Sequence, residues 1–243
     1  MSKLTAIVTG ASTGIGKAIA KLFIDKGHNV VMNSANADKL NAAYAELGSP
    51  NNAVAVAGDI GDTNVGKLLV REAVNRFGSL DVLVNNAGIF EPKPFLDVDE
   101  VDLDRFLGTN LKGTYFTTQA AVAQMLKQDG GSIINIGTVL VDHAIAGFPA
   151  TAPIVSKGGT HALTRQLASE FGKNNIRVNT IAPGIIRSPL HQDPDSLAGL
   201  HLLNRIGEAT DIAEAAYYLA TSNFVSGEIL NVDGGHVAGH NFG

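Results

Sequence analysis

Four short stretches of this chain carry residue types and spacings that could do chemistry. Thr9-Gly10-Ala11-Ser12-Thr13-Gly14-Ile15-Gly16 is a glycine-rich turn of the kind that lets a backbone approach a pyrophosphate, with a helix N-terminus behind it to hold the charge. Asn85-Asn86-Ala87-Gly88 combines amides with residues small enough to admit a ribose. Ser156-Lys157-Gly158-Gly159 sets a single lysine among small neighbours near a helix start. Val141-Asp142-His143-Ala144 offers a histidine, which can titrate near neutral pH, beside a carboxylate. Four residues ahead of Lys157 stands Pro153, which has no ionisable group and no backbone N–H. His236 and His240 have the separation of a metal-binding pair, but they sit in a Gly-rich tail without a third ligand, so no metal is expected. His191 and His201 read as surface residues of an irregular segment.

Glycines also serve ordinary turns, and an amide such as Asn86 can satisfy backbone groups in a buried turn. Position decides between these readings. The alternation of short apolar runs with longer helical segments predicts a doubly wound α/β fold of the Rossmann type, with about seven parallel strands and helices on both faces. Strands are predicted over 4–9, 29–33, 53–57, 80–85, 132–136, 177–181 and 228–232. Helices are predicted over 15–26, 37–47, 65–77, about 98–127, 154–171 and 211–221. The glycine turn thus joins the first strand to the first helix. The Asn85–Gly88 stretch follows the fourth strand, at the carboxyl ends where such sheets bind ligands. The segment 188–205 reads as an irregular, mobile flap.

Bulk properties narrow the function. At 243 residues and 25.3 kDa the chain suits one large domain, 1–243. Its net charge of −5 and pI near 5.8, with no basic stripe, argue against nucleic acids and anionic membranes as partners. With no cysteine, thiolate metal sites and thiol nucleophiles drop out. No stretch approaches the roughly 18 apolar residues of a membrane span, and a cytoplasmic location is expected.

With these motifs in order along the chain, together with Asn110, Ile133–Thr138, Pro183-Gly184, Ser188 and Val232-Asp233-Gly234-Gly235, the sequence resembles a short-chain dehydrogenase/reductase of the classical type over its whole length. The resemblance implies hydride transfer between a nicotinamide cofactor, NAD(P), and a small carbonyl, imine or alcohol. It places Gly10, Ser12, Thr13, Gly14, Ile15 and Gly16 on the pyrophosphate, and Ser34, Asp59 and Ile60 at the adenosine end, where Asp59 could accept from the adenine amine. Asn86, Ala87, Gly88 and Lys157 fall at the riboses, Pro183, Gly184 and Ile186 around the nicotinamide, and Ser188 near the phosphates. It implies catalytic roles for Lys157, for Thr138 in place of the usual serine, and for Asn110 holding a water beside the lysine.

One position departs from the family's pattern. The family's proton-exchanging tyrosine, whose pKa near 10 must be lowered by its surroundings, falls on Pro153. Proline also simply starts helices well, with Thr151 or Ala152 as cap, and Thr138 could equally be structural. His143 is the best substitute acid, although an ordinary loop histidine reads as well. The second strand ends in Asn33-Ser34-Ala35-Asn36, without the acid that selects NAD or the arginine that selects NADP. Lacking repulsion toward a phosphate tips the balance to NADP. The family's usual contacts imply a homo-oligomer, a tetramer or dimer, through the two long helices and the last strand, and the tail 236–243 could reach a neighbour's site. The competing function is a nucleotide-binding sensor or interaction module with little turnover.

Overall fold

The computed structural model describes residues 3–188 and 194–239. Seven strands lie in one parallel sheet in the order β3-β2-β1-β4-β5-β6-β7: β1 Thr5–Val8, β2 Asn29–Ser34, β3 Ala53–Ala57, β4 Val82–Asn85, β5 Gly131–Ile136, β6 Ile176–Pro183 and β7 Ile229–Val232. The central strands are apolar on both faces because helices cover both, as parallel sheets require. α1 (Gly14–Asp25), α2 (Ala37–Glu46) and α7 (Ala209–Thr221) accompany a core built on Phe23, Ile19, Met32 and Ile212. α3 (Thr63–Phe77), α5 (Thr114–Met125) and α6 (Thr151–Phe171) accompany a second core built on Ile7, Leu69, Leu83 and Ile133. The chain runs outward from β1 to β2 and β3, then returns to β4 on the other side of β1. That reversal makes β1 and β4 the switch point where a crevice opens.

Three differences from the sequence reading matter for the site. The predicted helix 98–127 is broken in character: α4 (Glu100–Phe106) passes through a π-helical stretch, Leu107–Gly113, before α5 begins. A wide turn of this kind accommodates an inserted residue and is frequent at functional sites, and here it contains Asn110. Second, α6 begins at Thr151, with Ala150 as N-cap and no side-chain capping bond. Pro153 therefore sits inside the first turn, where a missing N–H costs nothing because the first four are orphans, and neither Thr151 nor Ala152 serves as cap. Third, the expected flap contains a 3-10 helix at Pro194–Leu200. His191 and His240 lie outside the described residues.

Candidate active site

The glycine turn and the Asn86 turn meet at the switch point. Thr9 Oγ1 accepts from the backbone N–H groups of Asn86 and Ala87, each at 3.0 Å, and lies 3.3 Å from the Val84 carbonyl to which it donates. The Asn86 amide returns the contact, donating to the carbonyls of Thr9 (3.0 Å) and Gly10 (3.2 Å). This packing leaves no room for side chains. A Cβ on Gly16 would lie 2.3 Å from the Gly10 oxygen, and one on Gly10 2.8 Å from Ala87 Cα. Gly10 (φ 65°) and Gly14 (φ 52°) also take left-handed backbone, which only glycine adopts cheaply. Thr13 is the N-cap of α1 but makes no side-chain capping bond. The helix thus presents uncapped N–H groups to the turn, the arrangement that suits a phosphate. Sequence reasoning did not single out Thr9, whose hydroxyl ties the two turns together.

At the outer end, Ser12 Oγ and Ser34 Oγ are 3.0 Å apart, a hydroxyl pair where β2 ends. Asn33 turns inward, donating to the carbonyls of Val56 and Gly58, each at 3.0 Å. Asp59 is exposed, and its Oδ1 accepts from Gly61 N–H at 2.9 Å. Ile60 packs its side chain into the core, close under Gly113, so a ligand there would meet its backbone.

On the other side of the crevice, Lys157, Asn110 and Gly88 converge. Lys157 Nζ donates to the Ile136 carbonyl at 2.6 Å, and a Cβ on Gly88 would lie 3.3 Å from that Nζ and 3.0 Å from Asn110 Oδ1. Gly88 is therefore glycine because the lysine and the asparagine close over it. Burial without a counter-ion disfavours the ammonium and brings the Lys157 pKa down to about 8. Asn110 is fully buried. Its Oδ1 accepts from Ile89 N–H at 2.8 Å, and its amide donates to the Ile89 carbonyl (2.9 Å) and to Ser156 Oγ (3.0 Å). Ser156 Oγ in turn donates to the Pro153 carbonyl at 2.7 Å. Pro153 is itself buried, so the helix start is held by its carbonyl and not by an N–H.

Thr138 follows β5 and, as N-cap of a 3-10 turn at Val139–Val141, accepts from Leu140 N–H at 3.3 Å. The turn leads to Asp142 and His143. Asp142 lies 3.7 Å from Nδ1 of the buried His161, one turn beyond Lys157 on α6. Burial pushes the His161 pKa down, against the pull of Asp142. His143 packs its ring edge-on against His236, with centroids 5.1 Å apart, and His236 in turn lies 5.7 Å from His201. Contrary to the sequence reading, His201 is buried: its Nε2 accepts from Ile185 N–H at 3.1 Å. His236 Nδ1 donates to the Leu200 carbonyl at 2.8 Å. The described part of the tail therefore folds back on its own chain. Among the described residues no cluster of metal-ligand side chains forms.

Pro183 ends β6, and Gly184 N–H donates to the Val232 carbonyl at 3.1 Å. A Cβ on Gly184 would meet Asp233 Cα and His201 Nε2, both at 2.9 Å. Ile186 sends its side chain into the core against Gly207 and forms a parallel bridge with it, and Ser188 ends the described part of this edge. Beneath the site runs a buried polar belt that periodicity could not reveal. Asn85 donates to Thr118 Oγ1 (2.8 Å) and to Asn135 Oδ1 (2.9 Å); Asn135 donates to Thr164 Oγ1 (2.8 Å), which is 2.7 Å from Thr180 Oγ1.

Comparison with known proteins agrees with this fold. Residues 10–237 match the family model described as enoyl-(acyl carrier protein) reductase. The chain is 37% identical to carbonyl reductase family member 4 of Xenopus laevis, over 97% of this chain and 98% of that one. It is also 37% identical to the 3-oxoacyl-(acyl-carrier-protein) reductase FabG of Staphylococcus aureus, over 95% and 97% of the two chains. Among solved structures, ElxO with NADP bound superposes with a TM-score of 0.91 at 29% identity, over 98% of this chain and 100% of that one. A protein described as a short-chain alcohol dehydrogenase from Sinorhizobium meliloti superposes with a TM-score of 0.89 at 34% identity, over 98% of both chains.

Proposed function

This chain belongs to the short-chain dehydrogenase/reductase family, and from that premise we propose that it is an NADP-dependent oxidoreductase acting on a small carbonyl or imine, with Lys157 as proton donor. The observation that carries the reading is the convergence of Lys157, Asn110 and Gly88 at the end of a crevice whose other wall is the Thr9–Gly16 turn. The cradle fits a dinucleotide: Gly10 and Gly16 are places where any Cβ would collide with backbone, and the α1 N-terminus lacks its own cap. Relatives named as reductases and a neighbour with NADP bound support the cofactor class. The Ser12–Ser34 hydroxyl pair, with no acid beside it in Asn33-Ser34-Ala35-Asn36, supports NADP over NAD, because a carboxylate there would repel the extra phosphate.

When bound, the nicotinamide supplies the hydride. The protein must then supply a proton to the developing alkoxide or amine and hold its oxygen or nitrogen in place. Pro153 cannot do the first. Lys157 can: with a pKa near 8 it is a far better acid at neutral pH than an ordinary lysine, and the amine it leaves regains a proton from solvent. Asn110 fixes Ile89 and, through Ser156, the start of α6, so it positions Lys157 without touching substrate. The Thr138 hydroxyl, at the end of β5, would hold the substrate atom. His143 is the second candidate donor, with its contact to His236 setting its orientation. Exposed Tyr115 on α5, Leu126 at its C-cap and Val155 on α6 support self-association through these helices.

The test is a titration of NADPH and NADH by fluorescence, followed by turnover of a ketone and imine panel by wild type, Lys157→Met and His143→Ala. Lys157→Met should cost about a hundredfold or more in kcat, within the range for a positioned acid. A His143→Ala loss of that size with Lys157→Met active would move the donor to His143. NADPH binding without turnover of any substrate would favour the second reading, motivated by Pro153, of a cofactor-binding protein that does no chemistry.

A further inference from the structure

Two phenylalanines on the loops that follow β4 and β5 are accounted for by nothing above. Phe90 lies two residues beyond Gly88, on the loop that Asn110 anchors through Ile89. Phe148 lies on the loop between Thr138 and α6. Their rings are nearly parallel, 13° apart, with centroids at 6.1 Å. A backbone bond from Lys93 N–H to the Pro149 carbonyl at 2.8 Å ties the two loops together. The pair is therefore held in register by the loops that carry it, yet 37% of Phe90 and 41% of Phe148 remain open to solvent. Two aromatic rings aligned across separate loops and left half-exposed form a preorganised apolar surface of the kind that lines small-molecule sites.

The charges around this surface limit what it can receive. Lys93 is ion-paired with Asp102, and Arg105 with Glu91 at 2.5 Å. Both cations of this loop and the adjoining α4 are thereby neutralised, so neither is available for a substrate carboxylate or phosphate. A flat, uncharged group is the complement of such a rim.

We infer that Phe90 and Phe148 form an aromatic platform that receives the flat, uncharged hydrophobic part of the carbonyl substrate, making this a reductase for aromatic or comparably planar ketones and not for short aliphatic or anionic ones. The inference rests on the carbonyl-reductase reading proposed above, but it makes a separate claim about binding. The loops rise from the carboxyl ends of β4 and β5, the same strand ends that carry Gly88 and the Ile136 carbonyl held by Lys157. A ketone whose carbonyl faces Lys157 would extend its substituent outward along the two rings.

The experiment measures binding of benzylacetone, butanone and benzoylpropionate to the protein loaded with NADP, by saturation-transfer NMR and calorimetry, alongside turnover with NADPH. Benzylacetone should bind at least about tenfold more tightly than butanone, and Phe90→Ala and Phe148→Ala should each erase about three- to tenfold of that preference, in keeping with the loss of a ring contact. Phe148→Tyr should retain it. NADPH affinity and the thermal midpoint, read on every variant, should stay unchanged because both rings are half-exposed. Equal binding of benzylacetone and butanone, tighter binding of benzoylpropionate, or indifference to both alanine variants overturns the platform. Platform-dependent binding of benzylacetone without turnover sinks the reductase reading and leaves the platform standing. Turnover that does not discriminate among the ketones does the reverse.

Discussion

The two walls of the crevice are built on different principles. The wall from β1 to β3 is made almost wholly of backbone: glycines without room for a Cβ, an uncapped helix end, and a threonine and an asparagine whose polar groups bond main chain. The wall from β4 to β7 is made of side chains: Lys157, Asn110, Ser156, Thr138 and a run of buried histidines. A backbone wall can bind a phosphate in only one way, so its residue types are nearly forced. A side-chain wall can exchange one group for another and keep its shape, so a proline at the start of α6 leaves the bonds of Lys157, Asn110 and Ser156 in place. Binding and chemistry are thus separable in this molecule.

The sharpest way to break that contrast is to put a side chain into the backbone wall. Gly16→Val forces a Cβ to within 2.3 Å of the Gly10 oxygen. It should weaken NADPH binding by about a hundredfold or more and cost about 3 kcal/mol of stability, as overpacking does. Fluorescence titration and thermal melting read the two effects, and a variant that binds normally would show that the turn is not the phosphate site. A change on the other wall should do the opposite. Pro153→Tyr sets a phenol four residues before Lys157 and should raise ketone turnover about tenfold or more with NADPH affinity unchanged. No gain in a folded variant would mean that a phenol at this position does not reach the substrate.

Thr9→Val should have a smaller effect. It removes the acceptor for the N–H groups of Asn86 and Ala87 while keeping the shape. Asn86 N–H keeps the Val84 carbonyl at 3.2 Å, so Ala87 N–H alone loses its partner, at a cost of about 1–3 kcal/mol, visible in the denaturation midpoint, and cofactor affinity should fall only about tenfold. The mildest effect is acidification. Burial lowers the pKa of His28, His161 and His201 below the ordinary 6.5. The unfolded chain therefore binds protons near pH 6.5 that the folded one resists, and stability rises with pH across that window. The melting midpoint should be level above about pH 7 and decline as pH falls through 6.5, less steeply in His161→Leu. A midpoint insensitive to this range would mean that these histidines take up protons as readily folded as unfolded.

The fold was legible because period and punctuation carried it. Strand β3 falls where the sequence placed it, and the glycine turn lies between β1 and α1. The polar side chains were less so. The π-helical turn at Leu107–Gly113 leaves no mark in a hydrophobic pattern that stays roughly helical. Ile136 enters the site through its carbonyl oxygen, a group every residue possesses. His201, taken for a surface residue, is buried because its ring fills the space beside Gly184 and Gly234. Such contacts depend on residues distant in sequence, and composition and spacing hold no trace of them.

The polar belt under the site has a consequence for how the chain finds its structure. Parallel strands with apolar faces can slip by two residues and still bury valine against isoleucine, so hydrophobicity alone discriminates weakly between registers two residues apart. The bonds from Thr118 through Asn85, Asn135 and Thr164 to Thr180 span three neighbouring strands and two helices. A slipped register would leave those groups buried without partners, each at a cost comparable to a lost hydrogen bond. The belt therefore favours one register over its neighbours, a penalty on misaligned sheets that hydrophobic burial alone does not supply.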